Sequence, residues 1–249
     1  MHIDFNADLG EGYDFDSELM PLLSSVNIAC GFHAGNPTLM AATLDAALEH
    51  GVAIGAHPGY DDKSHFGRRP QQLPLQQVYD LVLYQAGALK AMAEARGGRL
   101  HHIKPHGALY NQAAEDPALA EAIVCATKAL GDNVMLYGLA GSALIECAQA
   151  VGVPAVSEVF ADRRYRADGS LTPRSEPDAV LADHQQVRQQ VMDMVCHGRV
   201  YDRDGNVLSL RAETLCLHGD NPAALALAQM LSQSLTDSSI TIRVPDGKR

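Results

Sequence analysis

The chain has 249 residues, room for one large or two small folded units, and α/β barrels run to about 250 residues as a single domain. Hydrophobic residues make up 47% and charged ones 20%, which excludes bulk disorder, and no apolar run approaches the ~18 residues a membrane span needs. Thirty acids against 19 bases give a formal net charge of −11, a balance that disfavours nucleic acid and anionic lipid as partners.

Taken in chain order, short apolar runs of β character alternate with longer stretches of helical period. The runs are Ile3–Ala7, Val26–Cys30, Val52–Ala56, Leu100–Lys104, Val134–Gly138, Ala155–Phe160 and Thr214–Leu217, with Ile240–Val244 a late eighth. They read as nearly continuous apolar segments, the pattern of parallel strands covered on both faces. Asn36-Pro37, Asp116-Pro117 and Asn221-Pro222 each place an N-cap before a proline at the first helical position. Pro74 suits another helix start, with Val78, Leu81, Val82, Leu89 and Met92 forming an apolar stripe beyond it. Gly51, Gly97, Gly131, Gly152 and Gly198 mark helix ends. Residues 161–178 form a long polar loop, and Asp-Arg-Asp-Gly-Asn between apolar flanks near Tyr201–Leu208 predicts a hairpin. The repeat predicts an α/β fold with a parallel sheet, open or closed, and one domain spanning residues 1–249.

Five scattered cysteines without a CxxC argue against a disulfide framework or a structural zinc knuckle. The N-terminus carries acids where a signal peptide would carry bases, so the expected compartment is the cytoplasm.

Polar clusters follow the strands. Asn6, Asp8 and Glu11 follow the first; Asn27 and His33 belong to the second; His57 ends the third. Lys104 and His106 follow the fourth, Glu158, Asp162 and Arg163 the sixth, and His218 and Asp220 the seventh. In parallel α/β folds the C-terminal strand ends converge on the face that hosts chemistry. Each residue also has a structural reading: Asp8 or Asp220 as helix caps, Asn36 as a cap, Cys30 and Cys216 as small buried apolar groups. Four histidines gathered at strand ends are harder to explain that way. His50, His65, His184 and His197 are expected in solvent. Lys104 lies in a β run, where an ammonium needs a buried counter-charge, and Glu158 is the candidate. Asp8, His57 and His106 offer a nitrogen and oxygen set suited to zinc or another divalent metal.

Taken together, Asn6–Gly12, Asn27–Gly35, Gly55–Pro58, Lys104–Asn111, Glu158–Arg163 and Cys216–Asp220 resemble the LamB/YcsF family, the A subunits of the bacterial ATP-dependent 5-oxoprolinases. Gly138–Ser142, Asp168–Leu171 and Pro173–Ser175 also match, and the resemblance runs from Ile3 to about Val244. It implies a distorted (β/α) barrel of seven to eight mostly parallel strands, similar to glycoside hydrolase and deacetylase barrels. It implies ATP-coupled hydrolysis of 5-oxo-L-proline to L-glutamate, in concert with subunits B and C. One departure is His33-Ala-Gly-Asn36, where many members carry aspartate in the last position. In this reaction Asp8, Glu11, His57, Lys104, His106 and His218 are candidate catalytic groups. Asn6, Asn27, His33, Glu158, Asp162, Arg163 and Asp220 are candidates for holding substrate. The sequence has no GxxxxGK[ST] phosphate loop, which fits a division of labour in handling ATP. The competing readings are a metal-dependent hydrolase of the carbohydrate-deacetylase type and a non-catalytic carbohydrate-binding protein.

Overall fold

The structure is a computed structural model, and it describes residues 1–217 and 224–245. The strands are β1 (His2–Leu9), β2 (Ser25–Ala29), β3 (Ala53–His57), β4 (Leu100–Ile103), β5 (Met135–Leu139), β6 (Ala155–Phe160), β7 (Arg199–Tyr201), β8 (Val207–Ser209), β9 (Thr214–Leu217) and β10 (Thr241–Ile242). The helices are α1 (Asp16–Leu19), α2 (Pro37–His50), α3 (Leu75–Glu94), α4 (Gly107–Glu115), α5 (Pro117–Leu130), α6 (Ala143–Ala150), α7 (His184–His197) and α8 (Ala224–Asp237).

Strands β1-β2-β3-β4-β5-β6-β9 run parallel in that order, and β9 pairs back onto β1, so the sheet closes into a seven-stranded barrel. The short strand β10 adds to the start of β1, with His2 opposite Thr241 and Ile3 opposite Ile242. The distorted barrel expected from the sequence is therefore present, with seven strands in the ring and one outside it. β7 and β8 form the antiparallel hairpin, turning through Gly205.

Helix boundaries follow their caps. The Asn36 side chain accepts from the Thr38 and Leu39 amides at the start of α2. Asp116 does the same for Ala118 and Leu119 at the start of α5. Asn36 is thus a helix cap, a position where asparagine and aspartate serve equally. The Asn221-Pro222 cap lies outside the described residues.

The strands are not apolar on both faces, contrary to the sequence expectation. In β1, Ile3, Phe5, Ala7 and Leu9 point outward into one apolar cluster with Leu44, Val82, Leu89, Ile123 and Leu231 of the helices. Asp4, Asn6 and Asp8 alternate with them and point into the barrel. The polar inner face is tolerated because its groups bond to one another across the ring. Asn6 Nδ2 donates to Glu158 on β6 at 3.1 Å and to Thr214 on β9 at 2.7 Å. The Asp4 carboxylate accepts from Ser24, Ser25 and Thr214 at 2.6 to 2.8 Å. Buried polar groups satisfied in this way specify one arrangement of the strands.

One glycine makes room for this interior. The β3–β4 register shifts between Ile54 and Gly55, which sets Gly55 opposite His102. A Cβ on Gly55 would fall 2.1 Å from His102 Nε2. The buried His102 ring takes that space, stacks on Tyr137 at 3.9 Å, and bonds Asn27 Oδ1 at 2.7 Å through Nε2.

Candidate active site at the barrel mouth

A cavity of about 460 Å³ opens at the C-terminal ends of the strands. Asp8, Glu11, His57, Lys104, His106 and Arg163 all line it. Asn6, Asn27 and Glu158 lie beneath it and are fully buried. Asn6 and Asn27 were expected to touch substrate, but their amides are engaged with each other and with Asp8, Glu158, Thr214 and His102. They hold the floor in place. Asp162 is buried beside Arg163 and does not line the cavity. His218 and Asp220 lie outside the described residues.

Lys104 sits one residue beyond β4, so its side chain rises into the mouth from below. It is 2% exposed, and its Nζ lies 2.9 Å from Asp8 Oδ1, 3.0 Å from Glu158 Oε1 and 3.0 Å from Cys216 Sγ. Burial alone would drive the ammonium to lose its proton, but Asp8, Cys216 and Glu158 together outweigh it and hold its pKa well above the ordinary lysine value. The expected Glu158 contact is present, and Asp8 joins it. An ammonium has three donors, and these contacts engage all of them. Glu158 also accepts from the Tyr110 hydroxyl at 2.8 Å.

Beside the lysine stands a cluster of three imidazoles and a carboxylate: Glu11, His33, His57 and His106, whose ligand atoms all lie within 4.8 Å of one another. His57 Nδ1 is 2.7 Å from the Lys104 carbonyl, and His106 Nε2 is 2.8 Å from the Phe66 carbonyl. A carbonyl only accepts, so those two nitrogens carry the ring protons. What remains is His57 Nε2 facing His106 Nδ1 at 2.9 Å, lone pair toward lone pair when both rings are neutral. Asp8 Oδ2 approaches His57 Nε2 to 3.2 Å. Glu11 Oε1 lies 3.2 Å from His33 Nε2 and 3.5 Å from His106 Nδ1.

Acceptors converging in this way suit a cation. Burial, with the neighbouring histidines, pushes the pKa of His106 and of His33 well below the ordinary histidine range, which disfavours a proton there. A divalent metal fits the donor set, and backbone carbonyls that fix the far ring nitrogen are the usual support for metal-bound histidine. Of the Asp8, His57 and His106 that the sequence offers as donors, the two histidines fall in this cluster with Glu11 and His33, while Asp8 bonds Lys104, Asn27 and His57.

Sequence reasoning passed over Tyr110, His102, Arg68 and Arg174. Tyr110 and His102 stood in polar stretches but read as helix and strand. Arg68 and Arg174 line the cavity from long loops; Arg174 lies in the Pro173–Ser175 match but was not read as a site residue, and Arg68 had no local pattern to mark it. His50, His65 and His197 are exposed, as expected, and His184 is partly so.

The fold and mouth define a class: a closed parallel (β/α) barrel with a carboxylate, lysine and histidine centre at the C-terminal ends of its strands. Within that class the chain belongs to the LamB/YcsF family, whose profile matches residues 3–248. It is 51% identical over 246 residues to a Bordetella parapertussis protein named as the A subunit of 5-oxoprolinase, covering 97% of this chain and 98% of that one. The crystal structure of a lactam utilization protein from Thermus thermophilus superposes with a TM-score of 0.92 at 41% identity, covering 98% of this chain and all of that one. A peptidoglycan N-acetylglucosamine deacetylase domain from Eubacterium rectale shares the fold alone, with a TM-score of 0.54 at 13% identity over 99% of this chain and 90% of that one. Among the described residues, no helix is long and apolar enough to cross a membrane.

Proposed function

We propose that this chain is the A subunit of an ATP-dependent 5-oxoprolinase, which opens 5-oxo-L-proline to L-glutamate together with subunits B and C in the cytoplasm. The observation that carries this reading is the near full-length identity of about one half to proteins named for that subunit. The closed barrel supports treating residues 1–249 as one domain. The mouth supports the assignment to a hydrolase acting on a cyclic amide.

A five-membered lactam is a poor electrophile, and phosphorylating its oxygen with ATP, which releases ADP, makes the ring carbon attackable by water. Breaking the ring C–N bond in the resulting adduct leaves an acyl phosphate, which a second water hydrolyses to glutamate and phosphate. The reaction then needs a base for water, positive potential for the developing oxyanion, and an acid for the ring nitrogen. Asp8 Oδ2 is the base. The other oxygen of this carboxylate is held by Lys104 and Asn27, which turns Oδ2 toward the cavity and His57. Lys104 acts through its field, since its donors are already engaged. The proton that Asp8 takes from water is the one available to the departing nitrogen, since the free lone pairs of His57 and His106 face the candidate metal site. Glu11, His33, His57 and His106 would hold a divalent metal, which when bound supplies a Lewis acid at the carbonyl. The absence of a phosphate loop from this sequence fits a division of labour in which subunits B and C contribute to activation by ATP.

The test is reconstitution with ATP and 5-oxo-L-proline, using this chain alone, subunits B and C alone, and all three. Glutamate should form at full rate only in the last. Equal turnover from B and C without this chain overturns the proposal. Metal analysis of the purified chain should find about one divalent ion. His33→Ala and His57→Ala should lose it.

A further inference from the structure

The cavity lining carries two kinds of charged group: the acids and histidines Asp8, Glu11, His57 and His106, and the guanidiniums of Arg68, Arg163 and Arg174. In a protein with a net charge of −11, three guanidiniums around one opening stand against the overall field. They come from two segments: Arg68 from the loop after β3, and Arg163 and Arg174 from the long loop after β6.

Arg163 shows why the arginines are set for an anion. It is 5% exposed, and its Nη2 and Nε donate to the Thr172 and Ala179 carbonyls at 2.5 and 3.4 Å. These neutral carbonyls aim the guanidinium without neutralising it. Burial, followed by the positive charge of Arg174, lowers its pKa to about 10, and the adjacent Asp162 only partly opposes this. Arg68 adds to the same repulsion. Its guanidinium sits over the Phe66 ring at 4.9 Å, and the Phe66 carbonyl fixes His106, so this loop links the arginines to the histidines. An anion bound between the arginines relieves the repulsion with charge-assisted hydrogen bonds, and a guanidinium fork matches a carboxylate.

We propose that Arg163 and Arg174, with Arg68, form a carboxylate subsite that holds the acid group of the substrate and turns its amide carbonyl toward Asp8 and His57. This deepens the lactam reading above and rests on it. It makes the acid group a condition of recognition: a lactam lacking it has nothing to offer the arginines.

The experiment is calorimetry on the full chain with three probes: 5-oxo-L-proline, 2-pyrrolidinone and inorganic phosphate. Wild type and the Arg174→Gln and Arg163→Gln variants are compared, with melting curves to establish folding. Arg163 is tied to backbone, so Arg174→Gln keeps the test decisive if Arg163→Gln fails to fold. Wild type should bind 5-oxo-L-proline at least about tenfold more tightly than 2-pyrrolidinone. Arg174→Gln should lose about tenfold or more on 5-oxo-L-proline and on phosphate, while 2-pyrrolidinone is unchanged. Arginine-dependent phosphate binding with no binding of either lactam keeps the anion site and removes the lactam reading. Unchanged binding of both anions in the variants, or no binding of either anion to wild type, overturns the subsite.

Discussion

Replacing Lys104 with methionine removes one positive charge from among several buried groups while keeping most of the side-chain volume. In the wild type the ammonium lies within 3.0 Å of both Asp8 and Glu158. Without it, Glu158 retains Tyr110 and Asn6, and Asp8 retains Asn27 and His57, but two carboxylates share an interior that has lost its cation. Breaking a buried ion pair from one side costs roughly 3–5 kcal/mol, so Lys104→Met should fold with a clearly lowered denaturation midpoint. Turnover by the complete assembly, corrected for the folded fraction, should fall at least ~100-fold, the scale of losing one well-placed electrostatic group. The double variant Lys104→Met with Glu158→Gln separates the two effects. Neutralising Glu158 should restore part of the stability and none of the turnover. Near-wild-type turnover per folded molecule in Lys104→Met would refute the reasoning, and so would full recovery of activity in the double variant.

Two further outcomes follow from the barrel interior. Gly55→Ala should lower stability by about 3 kcal/mol in urea denaturation, because its Cβ overlaps the His102 ring. Pairing it with His102→Ala should recover part of that loss; an unchanged midpoint in Gly55→Ala would contradict the packing. His102 titrates below its ordinary range because it is buried, with the charges of His101 and Lys104 adding to the effect. Its contribution to stability is therefore complete above the unfolded histidine value near ~6.5 and is lost as pH falls toward the depressed folded value. Denaturation midpoints of wild type against His102→Gln across that window should diverge by up to about 1.4 kcal/mol per pH unit, and parallel curves would show that His102 is not the group responsible.

Much of this was legible in the residues. The seven runs, the caps that precede prolines and the polar clusters at strand ends located a parallel sheet and its mouth, because parallel strands share a direction and their ends share a face, while closure into a barrel came from the family resemblance. The strand interiors were harder. Asp4, Asn6 and Asp8 alternate with apolar residues in β1, a two-residue period that an expectation of uniformly apolar strands obscures. Their partners, such as Glu158 and Thr214, lie more than 150 residues away, where no local pattern reaches. The grouping of Glu11 and His33 with His57 and His106 was not legible for the same reason. Asp8 and Glu11 leave the same strand, and only closure of the ring decides that Lys104 takes the first and the histidines surround the second. Arg68 and Arg174 sit in loops whose path over the mouth depends on packing. Tyr110 looked like one more residue of an amphipathic helix until its hydroxyl met Glu158.

The most direct measurement concerns Asp8 at the junction of the lysine and histidine groups. Asp8→Asn keeps the shape, and the amide oxygen still accepts from Lys104 or Asn27, so the chain should fold and join subunits B and C. Supplied with ATP and 5-oxo-L-proline, that assembly should form glutamate at least ~100-fold more slowly than one containing the wild-type chain, within the range expected for losing a positioned base. Glutamate formation at the wild-type rate by a folded, assembled Asp8→Asn variant would place the chemistry elsewhere.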